Sequence, residues 1–247
     1  MNRGYFITAT GTDVGKTFVT ALLVRKWREC GIDAGYYKAA LSGAEYREGQ
    51  WIAGDADYVK NAAGLTESQE QLVSYIYKEA VSPHLAARKE GSPVELAKIR
   101  RDFADACARH EFIFAEGSGG IICPIRYDRP DSEIIGSAPP QKIFLEDIIR
   151  ELGLPLLIVT TAALGSINAC VLTVEYARQK GLPIRGIIVN RCGVSDNLEM
   201  EQDNIKMMEE MTGLPILAKI PEGARELSAN DMSRGLAEEI NSRGPGK

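Results

Sequence analysis

Apolar residues fall in short continuous runs rather than in strict alternation. Tyr5–Ala9, Phe112–Ala115, Leu154–Thr161, Pro183–Asn190 and Leu214–Ile220 are such runs, and the stretches between them carry helical spacing. Runs of this length without polar alternation predict strands buried on both faces, as in a parallel sheet sandwiched between helices. The spacing predicts a helix opening at Lys16 and ending near Cys30-Gly31, and a second strand over Asp33 to Ala39 with Lys38 at its carboxyl end. Tyr46 to Ala53 reads as a mobile loop, and Gly54 opens a short helix to about Gly64. Leu72 to Tyr77 is apolar and aromatic, and Ser82-Pro83-His84 starts a helix with proline in its first turn. Pro93 to His110, Ile143 to Leu152, Leu164 to about Lys180 and Met200 to Gly213 read as further helices. Arg126 to Gln141 reads as a polar loop or lid, and the tail over 224–247 as weakly structured, a weak helix with a frayed end. Alternating strands and helices imply one doubly wound, mostly parallel α/β sheet with helices on both faces. No repeat or linker divides the chain, so a single domain spanning 1–247 is expected.

Composition narrows the class. The 247 residues suffice for a sizeable core, and 45% hydrophobic with 26% charged residues is ordinary for a globular protein. A net charge of −5 counts against a nucleic-acid surface. No run is long enough to cross a membrane, and no leader is expected ahead of the first strand, which predicts a cytoplasmic protein. The five cysteines are scattered and there are two histidines, so buried reduced thiols are expected rather than a zinc cluster.

The candidate chemistry begins at Thr10-Gly11-Thr12-Asp13-Val14-Gly15-Lys16-Thr17, between the first strand and the first helix. Free backbone N–H groups and the helix dipole favour an anion there. Lys16 is placed to reach the terminal phosphates of a nucleotide, with the Thr17 hydroxyl on Mg²⁺. The strict phosphate-loop pattern has glycine six residues before the lysine, where this chain has Thr10 and carries Gly11 one place later. Glu116 closes a buried strand and suits a second Mg²⁺ contact, while Gly117 and Gly119 allow close backbone approach to a ligand. Lys38 is either a solvated strand-end lysine or a ligand contact. Asp55 is either a first-turn helix carboxylate or a ligand contact, and Asn190 a turn residue or a reader of a nucleobase edge. His84 is a substrate contact or makes local hydrogen bonds at the start of its helix. Ser166 reads as an N-cap, with the N–H groups after it forming a second anion site suited to a carboxylate.

Taken together and in order, these motifs resemble the dethiobiotin synthetases, ATP-dependent enzymes of biotin synthesis. The resemblance rests on Thr12–Thr17, Tyr37-Lys38 with Ser42-Gly43, Asp55, Ser82-Pro83-His84 and Glu116–Gly120. It continues in Leu164-Gly165-Ser166-Ile167-Asn168, Leu172-Thr173 and Asn190. The family's phosphate loop is one residue longer than the strict pattern, but Ala9, Gly11, Asp13, Ala39 and Ala163 depart from its usual residues. The resemblance implies closure of a cyclic urea on the vicinal diamine diaminopelargonic acid, using CO₂ or bicarbonate and MgATP, by way of a carbamate and a carbamic–phosphoric anhydride. It implies that Thr12, Lys16 and Lys38 act in catalysis, and that Thr17, Asp55 and Glu116 hold Mg²⁺. Asp13, Val14, Gly15, Lys16, Thr17, Glu116, Asn190 and Pro221 would bind the nucleotide. Thr12, Lys38, Ser42, Gly117, Gly119, Gly165, Ser166, Ile167 and Asn168 would bind the substrate, the last four across a homodimer interface.

Readings from other classes are a partitioning or positioning ATPase switch and a non-catalytic nucleotide-binding module. A partitioning ATPase carries a signature lysine where this chain has Gly11. An amidase-coupled ligase of cobalamin synthesis would need a glutamine-hydrolysing domain for which this chain has no room.

Overall fold

Seven of the apolar runs pair with one another side by side, because none can satisfy its backbone polar groups while buried alone. The computed structural model describes residues 4–128, 141–194 and 197–244. The elements run β1 (Gly4–Ala9), α1 (Lys16–Glu29), β2 (Ala34–Ser42), β3 (Glu45–Arg47), β4 (Gln50–Ile52), α2 (Gly54–Ala63), α3 (Gln69–Leu72), β5 (Val73–Tyr77), α4 (Pro83–Lys89) and α5 (Leu96–Arg109). They continue β6 (Phe112–Glu116), β7 (Pro124–Tyr127), β8 (Lys142–Phe144), α6 (Leu145–Leu152), β9 (Leu156–Thr160), α7 (Ser166–Gln179), β10 (Ile184–Cys192), α8 (Leu198–Thr212), β11 (Ile216–Pro221) and α9 (Arg234–Arg243).

The central sheet has the order β11-β10-β9-β1-β6-β2-β5, and every pairing in it is parallel. Chain order reverses direction at β1, which lies between β6 and β9. Ligands of open parallel sheets bind at such a switch point, beyond the carboxyl ends of the strands. Alternate residues of each strand feed two cores. Phe6, Ile113, Ala115 and Ile158 face the layer with Ala86 of α4, Ile99 of α5, Ile148 of α6, Val174 of α7 and Met208 of α8. Tyr5, Ile7, Phe112, Phe114 and Val159 face the layer with Trp27 of α1, Val59 of α2, and Leu236 and Ile240 of α9. Trp27 meets Phe114 edge to face with ring centroids 5.1 Å apart, and this packing anchors α1 under the sheet.

Several expectations are corrected. Strand β2 runs four residues beyond Lys38, because Lys38 to Ser42 pair with Val73 to Tyr77 of β5. Lys38 therefore sits inside the sheet rather than at a strand end. The Tyr46–Ala53 loop holds an antiparallel hairpin, β3–β4, closed by the two residues Glu48 and Gly49, with the Tyr46 and Trp51 rings 5.2 Å apart. Within the expected Arg126–Gln141 loop, Arg126 and Tyr127 belong to β7, which pairs with β8. The Arg126 guanidinium is buried against Asp128 at 2.7 Å and donates to the Val94 carbonyl, carrying its own counter-charge inward. The remainder of that loop, residues 129–140, lies outside the described residues. In the tail, α9 is a capped helix whose Leu236 and Ile240 are buried, so residues 234–243 complete a core. None of the five cysteines is in a disulfide; Cys123 and Cys170 are buried and the other three half-buried.

Candidate functional site

The turn after β1 is shaped by Gly15, which caps α1 at φ 90° in the left-handed region open to glycine. A Cβ there would lie 2.2 Å from Nδ2 of Asn190, so the turn also needs a residue without a side chain for packing. Asn190 Nδ2 donates to the Val14 carbonyl at 3.0 Å, tying the turn to the end of β10. Lys16 opens α1 and folds back over the turn, its Nζ donating to the carbonyls of Gly11 at 3.0 Å and Thr12 at 3.2 Å. Burial pushes its pKa down, opposed by the charge of Glu116.

A cleft of about 370 Å³ opens at the carboxyl ends of β1, β2 and β6. Thr12, Asp13, Gly15, Lys16 and Thr17 line one wall, and Lys38, Ser42, Asp55, Glu116 and Gly119 line the other. The two lysines thus share one cavity. Parallel pairing sets Lys38 directly beside Glu116, and the Lys38 Nζ lies 2.7 Å from Glu116 Oε1 and 2.5 Å from Asp55 Oδ2. Burial works against the Lys38 charge, but the two carboxylates outweigh it and its pKa is raised. Burial likewise opposes the Asp55 charge, and Lys38 and the Thr17 hydroxyl overcome it, so that its pKa is lowered. Thr17 Oγ1 donates to Glu116 Oε1 at 2.8 Å, and the Tyr36 hydroxyl donates to Glu116 Oε2 at 3.3 Å.

Thr17, Asp55 and Glu116 therefore converge on one point, now held by an ammonium. The donor set is all oxygen and carries two carboxylates, which suits Mg²⁺. Among the described residues no three or more His, Cys, Asp or Glu side chains form a metal cage. Two carboxylates and a hydroxyl fit an ion that takes its remaining ligands from water and phosphate.

Other expected residues lie elsewhere. Gly117 donates its N–H to Ile7 O at 2.9 Å, and a Cβ there would press on Phe6 and Leu145 at 3.1 and 3.0 Å; it serves strand packing and does not line the cleft. Asn190 is buried and Pro221 is exposed at the end of β11; neither lines the cleft, though Asn190 Oδ1 is buried without a partner. Gly165, Ser166, Ile167 and Asn168 form the start of α7, also outside the cleft. Gly165 is the N-cap of that helix and Ser166 its first residue, so the Ser166 cap is corrected; its Oγ is buried and unpartnered. His84 also lies outside the cleft and shares a hydrogen bond with Ser82 Oγ at 3.0 Å, matching the local alternative. The sequence reading missed Leu41, Ser118 and Arg191, all of which line the cleft. Ser118, inside the glycine cluster, was within reach of it; Arg191 carried no signal beyond following Asn190.

The fold and the cleft define a P-loop nucleotide-binding α/β protein. Solved structures agree at the level of fold. A ParA family ATPase from Chlorobium tepidum superposes with TM-score 0.51 at 16% identity, covering 90% of this chain and 84% of that one. The cell division ATPase MinD of Pyrococcus furiosus gives 0.50 at 18% identity, covering 98% and 96%. The family profile described as "AAA domain" matches residues 3–225. The chain is 46% identical over 232 residues to the ATP-dependent dethiobiotin synthetase BioD of Brachyspira hyodysenteriae, covering 94% of this chain and 98% of that protein. It is 47% identical over 216 residues to the BioD of Clostridium botulinum strain Eklund 17B, covering 87% and 89%. This chain belongs to the ATP-dependent dethiobiotin synthetase family.

Proposed function

We propose that the chain forms dethiobiotin from diaminopelargonic acid, CO₂ or bicarbonate, and ATP, releasing ADP and phosphate. The observation that carries this reading is the shared cleft in which Lys16 and Lys38 stand beside Thr17, Asp55 and Glu116. One amine of the substrate takes up CO₂, and a carbamate oxygen displaces ADP from the γ-phosphorus. The second amine then attacks the carbamoyl carbon and expels phosphate. Transfer of this kind needs alignment and charge neutralisation more than covalent help. Lys16 neutralises the β- and γ-phosphate oxygens, and Lys38 holds the carbamate against the γ-phosphate. Thr12 and Ser42 orient the diamine, with Asp13 beside the triphosphate. Thr17, Asp55 and Glu116 would hold Mg²⁺, and its charge would offset that developing on the phosphoryl oxygens.

In the same reading Val14, Gly15 and Glu116 belong to the nucleotide site, and Asn190 and Pro221 bracket the base. The orphaned Asn190 Oδ1 supports a polar ligand there. Gly119 lies on the substrate side, and Gly117, packed on Phe6 and Leu145 outside the cleft, supports the turn that carries it. The backbone from Gly165 to Asn168, with the buried unpartnered Ser166 Oγ, takes the distal carboxylate. Leu164 and Leu172 are exposed on and beside α7, which supports a homodimer formed there. No described helix is long and apolar enough to cross a membrane. The chain is taken to be one domain acting in the cytoplasm on small molecules, without nucleic-acid or membrane partners.

The test is ADP release from MgATP and bicarbonate with and without diaminopelargonic acid, with mass spectrometry of the product. Diamine-dependent release and a ring-closed product are expected. ATP hydrolysis indifferent to the diamine but stimulated by DNA or lipid would overturn the reading. Sedimentation of the wild type and of Leu164→Asp reports on the dimer.

A further inference from the structure

Strand β10 contains an irregularity beside the cleft. Val189 pairs with Lys219 and Cys192 with Pro221, so three steps along β10 match two along β11, and one extra residue is lodged at Asn190-Arg191. Arg191 adopts φ 57°, in the left-handed region. Among the described residues the other non-glycine there is Glu48, whose conformation the two-residue hairpin turn demands. No turn demands it of Arg191. Bulges beside active sites commonly re-aim a side chain, and a strained residue persists where its placement is used. Here the result is that Arg191 lines the same cleft as the phosphate-loop residues, although strand alternation would have set it on the other face from Asn190.

The charge balance of the cleft gives this placement a use. The Lys38 ammonium is bound to two carboxylates and that of Lys16 to two carbonyls. Arg191 has one ion pair among the described residues, to Glu222 Oε2 at a long 3.6 Å, with both side chains about half exposed. Such a pair is worth little and is easily exchanged for a stronger one. A guanidinium presents a planar fork that matches phosphate oxygens.

We propose that Arg191, turned into the cleft by the β10 bulge, is a further nucleotide-binding residue that grips the phosphate chain of ATP and ADP. This rests on the cleft being the ATP site of the reaction above. It predicts that Arg191 contributes to nucleotide affinity and not to recognition of the diamine.

The test compares wild type, Arg191→Ala and Arg191→Gly. Calorimetric titration with MgADP is expected to show affinity falling about tenfold or more in both variants, the loss of a charge-assisted hydrogen bond. The KM for diaminopelargonic acid at saturating MgATP is expected to stay within about twofold, since a charge-assisted contact to the phosphates alone is removed. Arg191→Gly relieves the left-handed strain, so its melting temperature is expected to match or exceed that of Arg191→Ala. MgADP affinity unchanged in both variants would overturn the proposal, as would an equal rise in the diamine KM. If wild type binds MgADP but makes no dethiobiotin, the reaction assignment fails, and the MgADP comparison still decides the role of Arg191.

Discussion

Lys38 shows how one residue's meaning depends on its neighbours across the sheet. With 4% exposure it has almost no water to solvate its charge, and Asp55 and Glu116 supply what water would have supplied. The same two carboxylates, with Thr17, are the proposed Mg²⁺ ligands, so ammonium and metal compete for one place. Removing the ammonium while keeping the bulk apolar should free that place. Lys38→Met is expected to bind Mn²⁺ at least about tenfold more tightly than wild type without nucleotide, measured by paramagnetic resonance, because a unit charge a few ångströms away is gone. The same variant is expected to lose dethiobiotin formation. Unchanged or weaker Mn²⁺ binding would show that the carboxylates depend on Lys38 for their arrangement.

At the scale of elements, the strand–turn–helix of β1 and α1 depends on β10 for its shape. The turn is clamped by Asn190 from a strand more than 170 residues away in sequence (|i−j| = 176), and Gly15 makes room for that side chain. Gly15→Ala would meet two costs, the left-handed backbone and the contact with Asn190 Nδ2. It is expected to lower unfolding free energy by about 1–3 kcal/mol in urea titration. It is also expected to weaken MgADP binding more than it weakens the fold, because the displaced turn is the proposed phosphate cradle. The short elements follow the same logic. The β3–β4 hairpin and β7–β8 pair were not predicted because three- and four-residue strands leave too little periodicity to see.

Across the whole molecule, the opposite rim of the sheet carries a second hydrogen-bonded cluster of polar side chains. His110, after α5, bridges Asp33 at 2.9 Å and Glu67, joining the ends of three segments at the amino-terminal edge of β2 and β6. Burial acts against the Glu67 charge, but backbone N–H groups and His110 outweigh it, and its carboxyl is held below its ordinary 4.5. A carboxyl with a lowered folded-state pKa adds stability above the unfolded value, and that stability is lost as pH falls through the folded value. Calorimetric melting temperatures of the wild type should therefore fall as pH drops below 4.5. The fall is expected to be shallower in Glu67→Gln, and equal slopes in the two proteins would refute the clamp. The cleft lies at the other end of the strands, so MgADP affinity should differ little between them at neutral pH.

The order of buried strands and amphipathic helices, the phosphate-binding turn and the acidic strand end at Glu116 were all legible in the chain, because they depend on local periodicity and on residue types at fixed spacing. Family resemblance carried further, to Lys38, Asp55 and Ser42, whose isolated positions admit bland readings. Tertiary pairing alone decided that β2 continues to Ser42, that Lys38 lies beside Glu116, and that α9 closes a core. It also decided that Arg191 turns into the cleft. These outcomes depend on contacts between residues far apart in the chain, whose energies appear only once the strands are in register.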